Sequence, residues 1–189
     1  ALVFFVGRLI WTWWQRRSMP AYAGGSMPRG LSSGYGGAGY GGPGYGSAGG
    51  PAGGSIAIAK ADYDTFERLL GEIQMAYSAE DLDALRQRAT PEMVSYFADD
   101  LAGNASRGLV NRCSDVKLLQ GDLAEAWREG DAEYATVAMR FSLKDAFFER
   151  ASGRVVEGDP NRAIEVTELW TFRRAHGGTW LLSAIQQTQ

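Results

Sequence analysis

The chain has 189 residues, 22 of them acidic and 19 Lys or Arg, and its 25 glycines and 6 prolines are unevenly placed. Every acid lies after Ser55, where 15 basic residues leave a net charge of −7, while the first 55 residues carry Arg8, Arg16, Arg17 and Arg29 and no acid. So acidic a domain is a poor binder of nucleic acid, and the single cysteine excludes an internal disulfide.

Residues 1–17, "ALVFFVGRLIWTWWQRR", are nearly all apolar or aromatic up to Gln15, interrupted by Gly7 and Arg8. A bilayer span needs about 20 apolar residues. Three readings fit: the end of a membrane helix that starts upstream, an interfacial anchor, or an arbitrary cut in the chain. The first is the expectation, because Trp11, Trp13 and Trp14 followed by Arg16 and Arg17 is how a helix leaves lipid on the cytoplasmic side. Residues 18–55 hold 15 glycines and four prolines, with Gly-Tyr-Gly around Tyr35, Tyr40 and Tyr45. This is a tether with too little apolar surface to fold, its root-mean-square reach roughly 30–35 Å.

From residue 56 onward the pattern is that of one folded domain. Asp62 is placed to cap a helix with the stripe Tyr63, Phe66, Leu70, Ile73 and Tyr77, interrupted by Gly71. Ser78 is placed to cap a short helix with Leu82 and Leu85. Thr90-Pro91 opens a third with Met93, Phe97 and Leu101, ended by Gly103. Strands follow: Val116 to Trp127 with a bulge at Gly121, a long strand with Ala135, Val137, Met139, Phe141 and Leu143 on one face, then Ile164 to Arg174 and Thr179 to Gln187. "SGRVVEGDPN" reads as a loop or loose hairpin between them. Helices followed by antiparallel strands predict an α+β domain, its sheet strongly curved around the helices into a cone.

The residues "EVTELWTFRRAHGGTWLLSAIQQ" and "DAEYATVAMRFSLKDAFFERASGRVVEGD" resemble the Tim44-like domain family, found in a mitochondrial inner-membrane import component and in bacterial membrane-anchored proteins. Glu168, Trp170, Phe172, Trp180, Leu182, Ile185 and Gln186 carry the resemblance, which spans about residues 60–189. It implies a nuclear-transport-factor-2-like cone, no catalysis, no cofactor, and association with anionic, cardiolipin-like lipid and with membrane proteins in translocation, assembly or quality control. It also implies a place at a bacterial inner membrane with the domain on the cytoplasmic side. Two other functions stay open: an isomerase or dehydratase pocket on the same fold, and a self-associating scaffold, that is, a homo-oligomer.

Glu168 is the one acid on the apolar face of its strand, with Ile164, Val166, Trp170 and Phe172. A buried carboxylate needs donors, and Arg140 and Tyr134 of the preceding strand are the expected ones, so Glu168, Arg140, Tyr134 and Trp170 form the candidate brace or pocket. Arg86, Arg88, Arg107 and Arg112 form the candidate rim for anionic lipid. No metal-ligand spacing or nucleophile motif is present, His176 belongs to a turn beside Gly177-Gly178, and Cys113 reads as a small buried hydrophobe.

Overall fold

The computed structural model describes residues 54–188. Three helices, α1 (Lys60–Ser78), α2 (Leu82–Arg86) and α3 (Pro91–Ser106), precede four strands, β1 (Leu109–Glu129), β2 (Ala132–Glu149), β3 (Val155–Ala175) and β4 (Leu181–Gln187). The strands are antiparallel and lie in sequence order, β1-β2-β3-β4.

The expected cone is therefore corrected to an open four-stranded meander. Among the described residues only β2 and β3 have two strand neighbours, so β1 and β4 are edges and the sheet does not close. The shortness of β4 is part of the reason, and its outer edge is already occupied. Leu182 N–H donates to Arg88 O at 2.8 Å, and Thr90 N–H donates to Leu182 O at 2.8 Å, so the α2–α3 connection takes the place of a fifth strand.

The helix ends differ from the expected ones by local chemistry. Asp62 sits inside α1, not before it, and accepts the Ala59 N–H at 2.9 Å. Asp81 caps α2 by accepting the Ala84 N–H at 2.9 Å. Ser78 instead ends α1 in a buried position, where its hydroxyl accepts the Cys113 N–H at 3.0 Å and ties the helix to β1. Gly103 lies inside α3, which continues to Ser106.

The stretch expected as a loop is the first part of β3. It departs from regular pairing on either side of Gly158, between Ala163 and Asp159 and between Glu157 and Val155; at Gly158 itself φ is +79° and an added Cβ would lie 2.3 Å from Asp145 O. That bulged, glycine-bearing backbone lacks the alternation that marks a strand in sequence.

The core lies between the helices and one sheet face. Phe66, Leu70 and Ile73 of α1, Leu85 of α2 and Met93 and Phe97 of α3 close over Val137, Met139, Phe141, Trp170, Phe172 and Leu182. Phe66 stacks on Phe172 at 4.4 Å between centroids and meets Trp180 edge-on at 5.2 Å. Each such ring buried is worth about 1.5–3 kcal/mol.

The expected transmembrane helix is also corrected. Among the described residues no helix is long and apolar enough to cross a membrane. The segment to which it was assigned, 1–17, lies outside the described residues, as does almost all of the 18–55 tether.

Candidate functional site

β3 places Glu168 opposite Met139 of β2 on one side and Gln187 of β4 on the other, facing the core with Trp170. The Trp170 indole N–H donates to its carboxylate at 2.9 Å and the Gln187 amide at 3.4 Å. Burial pushes the Glu168 pKa up, and those two hydrogen bonds only partly oppose it.

Of the four residues expected together, the structure joins Glu168 and Trp170 alone. Arg140 pairs in register with Thr167, so its side chain leaves by the opposite face and reaches Glu165 at 2.9 Å. Tyr134 stacks on Trp127 at 5.0 Å and accepts a hydrogen bond from Arg173 at 3.3 Å. Parity alone identified the right strand neighbours and the wrong face. Glu168 thus has neutral donors, and among the described residues no second ionisable group is hydrogen-bonded or ion-paired to it. The arrangement holds a carboxyl group in place and offers no partner for proton transfer.

The four arginines of the expected rim each have partners within the domain. Arg86 pairs with Asp83, Arg88 donates to Glu72 at 2.7 Å and to Ala84 O at 2.8 Å, Arg107 donates to Asn104 and Gly103 O, and Arg112 donates to Ser78 O. These contacts close helix ends and fasten α1 to α2 and β1.

A charged cluster escaped the sequence reading. Glu133 of β2 is buried and accepts from Arg128 and from Arg174, the latter at 2.7 Å, with His176 Nδ1 3.4 Å away. Arg174 also donates to Asp62 at 3.0 Å and lies 4.3 Å over the Trp180 ring, while Trp180 Nε1 donates to the same Asp62 oxygen at 2.8 Å. The bonds from Arg128 and Arg174 bring the Glu133 pKa down to about 2. For Asp62, burial works upward, but Trp180, the Ala59 N–H and Arg174 together hold its pKa below the usual range. Glu133 shares the parity of Ala135, Val137 and Met139 and is buried at the strand's start against the β3–β4 turn; it was missed because the apolar face was counted only from Ala135.

An opening lies between α1 and β1. It is a groove of about 490 Å³ lined by Leu70, Gly71, Met75, Val116 and Leu118, with Glu67, Arg68, Glu72 and Lys117 at its margin. Met75 is 52% exposed although it is a large apolar residue, and nothing lies within 4 Å of where a Gly71 Cβ would be. Farther along β1, Leu118, Gly121 and Leu123 oppose Phe141, Met139 and Val137, so they continue the helix-facing side of the sheet beyond the cover of α1. Among the described residues no group of His, Cys, Asp and Glu is arranged to hold a metal ion. The groove is built for apolar contact.

A model of the Tim44-like domain family matches residues 58–187. No curated protein matches the chain. Several solved structures are similar, among them the following two. The intermembrane space region of the chloroplast protein ARC6 has a TM-score of 0.46 at 12% identity, covering 70% of this chain and 100% of that one. A conserved protein from Planctomyces limnophilus DSM 3776 has a TM-score of 0.36 at 14% identity, covering 69% and 100%. The expected location on the cytoplasmic side of a bacterial inner membrane finds no support among these matches; the ARC6 region is by its description an intermembrane-space one.

Proposed function

Because the chain belongs to the Tim44-like domain family, we propose that it is a binding domain that receives an apolar segment of a protein partner in the α1–β1 groove. Tim44-like domains are non-catalytic, and the domain is not an enzyme. The observation that carries the reading is the groove itself, with exposed Met75 and bare Gly71 on the α1 wall and Val116 and Leu118 on the β1 wall. Solvent-exposed apolar surface with a polar margin is what protein partners cover.

We place the partner among proteins handled at a membrane, in translocation, assembly or quality control. Association with anionic lipid is the weaker half of the proposal. The domain is strongly acidic, and Arg86, Arg88, Arg107 and Arg112 are engaged with acids and carbonyls.

A photo-crosslinking residue at position 75 of the full-length chain tests the reading. Discrete protein adducts are expected from position 75, absent from the equally exposed position 156 and lost when Gly71→Leu fills the groove. The same adducts from both positions would overturn it.

A further inference from the structure

The outer edge of β1 is covered at its two ends and open between them. The Cys113 N–H donates to Ser78 Oγ at 3.0 Å, and the Arg128 N–H donates to Gly54 O at 3.0 Å beside the Ser55–Trp127 bridge. Among the described residues, no hydrogen bond from another element reaches the outer edge from Val116 to Glu125. Leu119 and Leu123 stand there 36% and 38% exposed. An open strand edge with apolar residues is a template for another strand.

We propose that a second copy of this chain fills it, the two β1 strands pairing antiparallel about a two-fold axis at Gly121 to make one continuous eight-stranded sheet. Such a contact is isologous, so each residue must suit its mate in the other copy. In this register Lys117 of one copy faces Glu125 of the other, Leu119 faces Leu123, and Gln120 faces Asp122, each pair occurring twice. Lys117 and Glu125 are exposed, and neither is in an ion pair among the described residues. Charges on an edge normally block pairing; here opposite charges meet and complete one another.

The bulges support the same axis. Against β2, Leu119 is the extra residue between Leu118 and Gln120, and Ala124 is the extra residue between Leu123 and Glu125. A single bulge would turn the mates on one side of the axis to opposite faces. One on either side of Gly121 keeps Lys117 and Glu125 on the same face of the strand, where they oppose Ser142 and Thr136. Glycine on the axis leaves no side chains to collide.

This contact runs along the β1 edge and shares Lys117 with the groove margin, so the two readings are told apart by their tests: crosslinks from position 75 report the groove, and disulfides at position 121 report the edge. The test is disulfide trapping in the full-length chain carrying Gly121→Cys. A Cβ at 121 meets Leu118 and Val137 at an ordinary 3.8 Å, and the one native cysteine, Cys113, is buried. Facing α-carbons in an antiparallel pair lie about 4.5–5.5 Å apart, within the roughly 4.4–6.8 Å span of a disulfide. Mild oxidation is expected to give a covalent dimer at least several-fold more abundant than from a Val156→Cys control. Lys117→Glu should cut that yield several-fold, and adding Glu125→Lys should restore it. Equal yields from positions 121 and 156, or no recovery in the double charge swap, would overturn the proposal.

Discussion

Arg174 reaches Asp62 across 112 residues of sequence, its Nη1 3.0 Å from Oδ1, while its Nε holds Glu133 at 2.7 Å. One guanidinium therefore joins the first turn of α1 to β3 and β2. Trp180, under the same guanidinium and bonded to the same aspartate, brings in the turn before β4. A planar fork suits this double duty where a lysine ammonium does not.

Glu133→Gln should destabilise the domain by about 2 kcal/mol, since charge-assisted bonds of this kind contribute roughly 1.5–3 kcal/mol. The pH dependence has a defined sign. The folded pKa of Glu133 is held down to about 2, so its contribution is fully present above the unfolded carboxylate range and is lost as pH falls from about 4.5 toward 2. Asp62 is lowered as well and acts in the same direction. Urea unfolding between pH 2.5 and pH 7 should show wild-type stability falling in acid, and a shallower fall in Glu133→Gln. Parallel curves would mean that the cluster is not the source.

Glu168 behaves in the opposite sense. Its folded pKa is raised by burial, so the native state binds the proton more tightly than the unfolded chain, and the cost of burying the charge grows as pH rises above the unfolded value. Glu168→Gln keeps the shape and removes that cost. Its amide oxygen still accepts from Trp170, and Gln187 can turn its own amide to match. The variant should equal the wild type near pH 4 and be the more stable near pH 8. Glu168→Ala should lose about 1–3 kcal/mol at both, because the buried Trp170 N–H is left without its acceptor. Thermal melts of the two variants across that range separate the outcomes.

How far the sequence was legible depends on whether information was local. The α1 stripe of Phe66, Leu70 and Ile73 and the alternation of Val137, Met139 and Phe141 are periodic, and all six are core residues. Glu168 stood out because it broke such an alternation. Trp170, two residues along the same face, was legible as its neighbour, whereas Gln187 was not, because the β3–β4 register places it. Closure of the sheet could not be read either. Whether a meander curls into a cone depends on what covers the β4 edge, and that is decided by Arg88 and Thr90, nearly a hundred residues earlier in the chain.

Gly158 is the backbone position least able to change. Its φ of +79° lies where side chains are strained, and a Cβ would come within 2.3 Å of Asp145 O and 2.9 Å of Ala146 Cα in β2. Both obstacles are backbone atoms of the neighbouring strand, so relief requires the strands to part. Gly158→Ala should cost about 2–4 kcal/mol and Gly153→Ala, with φ +68° but open space around it, about 1 kcal/mol. Chemical denaturation of both variants checks the difference; similar losses would mean that φ alone sets the cost.

Gly71 is the reverse case, because it is helical and its absent side chain leaves space. A mid-helix glycine costs up to about 1 kcal/mol relative to alanine, and a Cβ here would meet nothing within 4 Å. Gly71→Ala should therefore raise stability by about 0.5–1 kcal/mol and lift the melting temperature by a few degrees. Packing of the core does not explain the glycine, since the core residues Leu70 and Ile73 on either side of it already face Val137 and its neighbours. A groove does explain it: bare backbone at 71 lets an apolar partner approach α1 closely beside Met75. The two explanations separate on paired measurements. If Gly71 serves the groove, the alanine variant gains stability and its crosslinking from position 75 falls, and the leucine variant loses crosslinking entirely. If the alanine variant loses stability, glycine is there for a contact within the fold, and the groove is no longer the reason for it.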